Sequence, residues 1–337
     1  MIRRTTAALA ATLLLTVGCS TVSEVGPDSA GAGCGTATAK LADPDVTPLD
    51  PRPTAKLPVT VDSADGRKVT VRSVDRILAV NLYGSLAELV FGLGLGDRVI
   101  GRDTSTAFPS AAKLPLVTPQ GHDLSAEAVL KLNPTVLLAD DSIGPPAVLD
   151  QIRRSGIPVV IVDDEQTLAA VPRHIRAVAA ALGVPEAGER LVGRVTSEID
   201  AAKRSAPRDG PPPRIAFLYV RGTAGVFLIG GKDAGSDAMI QAIGAVDAGT
   251  AAGLTKFRPL TSEGLITAAP DVILVMTEAL KSVGGVDGLL KLPGVAQTPA
   301  GTNRRVVDMD DGLLLNFGSR TGKAVEALAK AVYGPCD

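Results

Sequence analysis

The chain has 337 residues, with 34 Lys and Arg against 36 Asp and Glu and a formal charge of −2. Apolar residues make up 45% and aromatic residues 3%, ample for packed cores in one large domain or two. No basic stripe with interleaved aromatics occurs, which argues against nucleic acid as a partner.

Met1-Ile2-Arg3-Arg4 is a basic start, residues 7–17 are an apolar run, and Gly18-Cys19 closes it. The pattern reads as a secretory leader over residues 1–19, too short to span a bilayer as a permanent helix. A cysteine directly after a small residue resembles the lipobox of bacterial lipoproteins, which implies lipidation at Cys19. Thr16 departs from that motif, which more often has leucine there. Cys34 and Cys336 then lie near the two ends of the mature chain. Export permits a disulfide between them; two free thiols are the alternative, and their spacing matches no zinc motif.

Residues 20–55 are mainly Gly, Ala, Pro, Asp, Thr and Ser, and read as a disordered tether. Residues 57–61 and 69–71 alternate around Asp65-Gly66, a hairpin signal. A buried strand over 76–80 precedes a helix capped by Ser85 and running to Leu95. Strands over 99–101, 136–139 and 157–162 alternate with further helices, which predicts a mostly parallel sheet covered on both faces. Residues 165–205 are helical, broken once near Gly183-Val184-Pro185, and residues 185–206 predict one helix of about 30 Å. Asp209-Gly210-Pro211-Pro212-Pro213 marks a boundary. The fold class is therefore α/β, with an N-terminal lobe (56–165), an interlobe helical segment (166–210), a C-terminal lobe (211–337) and a ligand cleft between the lobes.

The second lobe repeats the first. Leu124-Ser125-Ala126-Glu127 through Pro134 and Val136-Leu137-Leu138 aligns without gaps on Leu260-Thr261-Ser262-Glu263 through Pro270 and Val272-Ile273-Leu274. The separation is 136 positions throughout, as from Leu124 to Leu260. A shared cap, glutamate, helix, proline and strand implies two lobes of like construction. The strand over 214–222 then corresponds to that over 76–80, and carries Tyr219 and Arg221 on one face, because strand side chains alternate. A phenol beside a guanidinium is suited to giving up its proton to a metal; a core tyrosine beside a solvated arginine reads the same. His122 and Tyr219 both fall at strand-exit or helix-entry loops, and the pattern predicts that they face the cleft from opposite sides.

The run Val99-Ile100-Gly101-Arg102-Asp103, with Lys113-Leu114-Pro115 and residues 124–134, resembles the substrate-binding lipoproteins of bacterial ABC importers for haem, ferric siderophores and cobalamin. Gly121-His122-Asp123-Leu124, Tyr219-Val220-Arg221-Gly222 and the glycine-rich loop before Ser236 look like those of the haem-binding members. The likeness covers about residues 57–333. It implies a ferric haem carried as cargo, with His122 and Tyr219 as axial ligands and Arg221 bonded to the tyrosine oxygen. Arg102, Arg258 and the helix start at Ser236 are candidates for the propionates, though solvated arginines and an ordinary cap look identical. Met276 and Tyr83 are candidate pocket residues, core packing being the alternative for Met276; His174 reads as a surface residue. The resemblance further implies docking onto an ABC permease and its ATPase through one acidic residue per lobe. Glu88 fits the first position and Asp237 fits the second less well, since Gln241 occupies the expected site. The reading is of a monomer, held at the membrane by its lipid, that takes haem free or from a donor protein.

Other motifs fail. Gly92-Leu93-Gly94-Leu95-Gly96 ends a helix instead of opening one, and Gly322-Lys323 lacks the glycine and hydroxyl residue of a phosphate loop. No G-x-S-x-G elbow is present, and two histidines cannot make a three-histidine zinc site. The expected protein is not an enzyme. The same architecture with a siderophore or corrinoid is the alternative cargo, and a haem-dependent oxidoreductase is a rival of another class. Two axial protein ligands would leave iron no open site for that last chemistry.

Overall fold

The computed structural model describes residues 35–207 and 210–334. Cys19, Cys34 and Cys336 lie outside the described residues, as do the leader and the first part of the expected tether.

The described chain opens with a short strand, β1 (Ala37–Ala39), and then a hairpin, β2 (Val59–Asp62) and β3 (Lys68–Val71). The hairpin is antiparallel with Val59 opposite Val71, turning through Asp65 and Gly66 as the alternation predicts. Next come β4 (Ile77–Ala79), α1 (Ser85–Gly92), α2 (Ala126–Leu132), β5 (Val136–Ala139), α3 (Pro146–Arg154) and β6 (Val159–Ile161). Strands β4, β5 and β6 form a parallel sheet. Residues 99–101, expected as a strand, contribute only a bridge from Val99 to Ile77. Ile77 and Ala79 pack into one apolar cluster while Leu78 and Val80 pack into another. Both faces of the sheet are therefore covered, which is why its strands read as unbroken apolar runs. Gly84, not Ser85, is the cap of α1; Ser85 is its first residue and accepts a hydrogen bond from Asn81 (2.9 Å).

Two helices follow, α4 (Val171–Ala181) and α5 (Pro185–Ser205). The second has 21 residues, about 30 Å at 1.5 Å per residue. It lies between α4, which also packs on α1, and the last helix of the chain, so it links the two lobes. His174, expected at the surface, is buried on α4, with Nε2 3.3 Å from Asp163 Oδ1. It follows the inward period of Val171, Ile175 and Val178.

The second lobe contains β7 (Arg214–Arg221), β8 (Val226–Gly230), α6 (Ser236–Ala242), β9 (Val246–Asp247), β10 (Phe257–Pro259), α7 (Ser262–Ala268), β11 (Val272–Met276), β12 (Val306–Met309), α8 (Asp311–Leu314) and α9 (Thr321–Tyr333). Its sheet has seven strands in the order β1-β12-β11-β7-β8-β10, with β9 beside the start of β7. Pairings among β1, β12, β11 and β7 are parallel, while β8 folds back antiparallel on β7. Gly322, read in sequence as a failed phosphate loop, sits where α9 crosses α5. A Cβ there would come within 2.5 Å of Glu198 Cβ, so the glycine permits close helix packing.

The duplication is realised element by element. Helix α2 is capped by the Ser125 side chain on Ala128 N and ends in a left-handed Asn133. Helix α7 is capped by the Thr261 side chain on Gly264 N and ends in a left-handed Ala269. Ile77 is opposite Val136 in the first sheet, and Ile215 is opposite Val272 in the second.

The tether expectation is corrected for residues 35–55. Strand β1 adds to the edge of the second lobe's sheet beside β12, with Thr38 Oγ1 bonded to Asp308 (2.8 Å). Val46 and Leu49 are buried, and Leu49 N donates to Gly92 O (2.9 Å) in the first lobe. Arg190 and Arg194 on α5 donate to the carbonyls of Asp50, Pro51 and Thr47. Backbone pairing asks for no apolar bulk, so a segment poor in large side chains is still held.

Candidate functional site

Tyr219 owes its position to the hairpin. It lies in the antiparallel part of β7 opposite Leu228, at the C-terminal edge of the sheet where α/β proteins gather ligand groups. Its ring meets Phe257 edge-on at 5.7 Å, and Phe257 meets Phe217 at 6.1 Å. Such edge contacts hold a ring at a set angle.

His122 comes from the other lobe, on the turn leading into α2. Gly121 has φ +93°, a left-handed conformation that glycine adopts without penalty, and its carbonyl accepts from Thr104 Oγ1 (2.6 Å). The turn is closed by bridges from Gln120 to Asp123 and from Asp123 to Gly144. Partial burial depresses the His122 pKa, the Arg221 charge adds to that, and Asp123 opposes it. The imidazole is thus kept neutral, the form that ligates metals.

His122, Tyr219, Arg221, Tyr83 and Met276 line one cavity of about 470 Å³, within the range of roughly 300–1,000 Å³ for small-molecule sites. Tyr83 is half-buried; burial raises its pKa first, then the nearby Asp140, Asp164 and Tyr219, so it stays a neutral phenol. Met276 is buried at the end of β11.

Arg221 departs from expectation. Its guanidinium carbon stands 4.6 Å from the centroid of the Tyr219 ring, stacked on the π-face. Nη1 donates to Val220 O (3.1 Å), and Nη2 lies 3.4 Å from Asp311 Oδ2. No hydrogen bond runs from it to the tyrosine oxygen among the described residues.

Sequence reasoning missed Glu278, Asp310 and Asp311, which line the same cavity. Burial pushes the Asp311 carboxyl up; the Glu278 backbone N–H and Arg221 oppose that, while Asp310 and Glu278 add to it. The available signal was position: Asp310 and Asp311 directly follow β12, at the same strand edge as Arg221 and Met276.

Five other expectations are corrected. Arg102 turns back on its own loop, donating to Asp103 O (3.1 Å), and does not line the cavity. Ser236 is fully buried. Arg258 sits opposite Ile229, which is opposite Leu218, so it projects from the sheet face away from Tyr219 and bonds Thr255 (3.2 Å). Glu88 is 0% exposed and paired with Arg320 at 2.7 Å, so its carboxylate is not on a docking surface. Asp237 is buried and accepts from Asp233 N (3.0 Å).

What the cavity can do follows from its donors. No group of three or more His, Cys, Asp or Glu positioned for a metal ion occurs among the described residues. An imidazole from one lobe and a phenol from the other are instead donors that a metal carried into the cavity within a larger ligand could take.

The family model described as periplasmic binding protein matches residues 80–313. An uncharacterized ABC transporter substrate-binding lipoprotein, YvrC of Bacillus subtilis (strain 168), is 28% identical over 284 residues, 83% of this chain and 87% of that protein. The crystal structure of the heme binding protein HmuT superposes with a TM-score of 0.85 and 39% identity, covering 90% of this chain and 98% of that one. Alanine variants of HmuT at a histidine, at a tyrosine and at an arginine two positions beyond the tyrosine match comparably, with TM-scores of 0.85, 0.84 and 0.85. The periplasmic heme-binding protein RhuT from Roseiflexus sp. RS-1, in apo form, matches with a TM-score of 0.72 and 45% identity over 77% of this chain and 98% of that one.

Proposed function

The chain belongs to the periplasmic binding protein family, and on that premise we propose that it is the extracytoplasmic haem-binding component of an ABC importer. It takes ferric haem outside the membrane and hands it to a permease driven by an ATPase, without turnover. The observation that carries this reading is the pairing of His122 with Tyr219 in one cavity, contributed by opposite lobes. A neutral imidazole and a tyrosinate are both haem-iron ligands, and an anionic oxygen donor favours Fe(III). The likeness to HmuT and RhuT supports haem as the cargo. The tyrosine and arginine varied in HmuT are spaced as Tyr219 and Arg221 are.

No helix among the described residues is long and apolar enough to cross a membrane. Attachment is proposed through a lipid on Cys19, in keeping with the lipoprotein YvrC. The permease contact is proposed to use surface groups other than Glu88 and Asp237, since both are buried.

Titration of the purified mature protein with haemin, cobalamin and a ferric siderophore tests the cargo. A saturable shift of the haem absorption band, with no response to the other two, is expected. Saturable binding of cobalamin or siderophore in place of haemin overturns the reading.

A further inference from the structure

We infer that Asp311 is a counter-charge that competes with the Tyr219 oxygen for Arg221 and so sets how readily haem is released. This rests on the haem reading above.

The Arg221 guanidinium carbon stands over the Tyr219 ring, Nη1 donates to Val220 O, and Nη2 forms an ion pair with the Asp311 carboxylate at 3.4 Å; no hydrogen bond reaches the phenol oxygen among the described residues. A guanidinium offers its donors in a fixed planar fork. To bond the Tyr219 oxygen, the guanidinium would have to turn from its place over the ring and give up Asp311.

Asp311 is placed for this by the fold. Its Oδ1 accepts from Glu278 N at 3.0 Å, which leaves Oδ2 for Arg221. Asp310 caps the same turn on Gly312 N (2.9 Å). The Gly312 carbonyl faces Arg320 Nη2 at 3.4 Å, and Arg320 is paired with Glu88 of the first lobe. Asp311 therefore stands on a turn fixed where the lobes meet.

Asp311→Asn tests the inference with little disturbance, because the amide oxygen still accepts from Glu278 N. Two measurements are made on wild type, Asp311→Asn, Arg221→Ala and the double variant. Haem release is timed by transfer to an excess of a haem scavenger. Separately, the Arg221 Nε–H resonance of the haem-free protein is followed by NMR, which reports the clamp without haem. Asp311→Asn is expected to slow release about ten-fold, the scale of one charge-assisted hydrogen bond. In the Arg221→Ala background the same substitution should change release less than about two-fold, as expected when one side chain acts through another. In the haem-free protein it should loosen Arg221 from the ring, seen as faster solvent exchange of Nε–H. Faster release from Asp311→Asn, or equal slowing without Arg221, overturns the inference while leaving haem binding intact. An unchanged Nε–H resonance overturns the clamp itself. Failure of the wild type to bind haem overturns the haem reading and the release role together, even where the NMR shows the clamp.

Discussion

The Glu88 carboxylate accepts four hydrogen bonds from Ser319 and Arg320, across 231 and 232 positions of sequence: Ser319 Oγ at 3.2 Å, and Arg320 N at 2.6 Å, Nε at 3.0 Å and Nη2 at 2.7 Å. Arg320 in turn donates to Pro44 O at 2.6 Å. One buried ion pair thus joins α1 of the first lobe to the start of α9 in the second, and ties in the N-terminal segment.

Removing one member of such a pair leaves the other charged and unpartnered in the interior, at a cost of about 3–5 kcal/mol. Glu88→Ala and Arg320→Met should each lose that much stability in urea unfolding. The double variant Glu88→Leu with Arg320→Met should recover most of it. A loss below about 1 kcal/mol in both single variants would mean that the pair does not hold the lobes.

The two repeated caps make a matched pair. Ser125 and Thr261 each accept one helix-start N–H, at 3.2 Å and 3.1 Å. Ser125→Ala and Thr261→Ala should each cost about 1 kcal/mol. Their sum should hold in the double variant, since they cap different helices in different lobes. Strong non-additivity in denaturant unfolding would contradict independent caps.

That repeat was legible because every part of it is local: cap, glutamate, helix, proline and strand follow one another within fifteen positions. The loop position of His122 was legible for the same reason; Tyr219, expected at a strand exit, lies within β7 opposite Leu228, and the cavity brings the two together. The fate of Glu88 was not. Its partner is more than two hundred positions away, and nothing local distinguishes a buried glutamate from a surface one on an eight-residue helix. Arg258 shows a second limit. It stands two residues before Leu260 as His122 stands two before Leu124, but the edge strand turns its side chain to the face away from Tyr219. Strand β1 shows a third, because small residues pair by backbone alone.

Acidity makes a further prediction. Asp103 and Asp140 are both raised from the ordinary 3.8 to about 6, chiefly by burial. They hold the backbone of Asn81 and the side chain of Asn81, respectively, behind the cavity wall. The native state keeps these protons to higher pH than the unfolded chain does. Their stabilising contribution is therefore full below about pH 3.8 and is lost as pH rises through about 6, by up to roughly 3 kcal/mol each. Asp140→Asn should flatten the fall in unfolding free energy between pH 4 and pH 7 relative to wild type. An identical pH slope in the two proteins would contradict a raised Asp140.

His122 and Tyr219 are proposed to bind the two faces of one haem. The most direct measurement is the absorption and electron paramagnetic resonance spectrum of the ferric haem complex in wild type, His122→Ala, Tyr219→Phe and the double variant. The account predicts six-coordinate iron in wild type. Tyr219→Phe should lose the tyrosinate-to-iron charge-transfer band, and His122→Ala should retain that band with an altered sixth position. The double variant should lose specific binding. A double variant whose haem spectrum and affinity match those of wild type would contradict the claim.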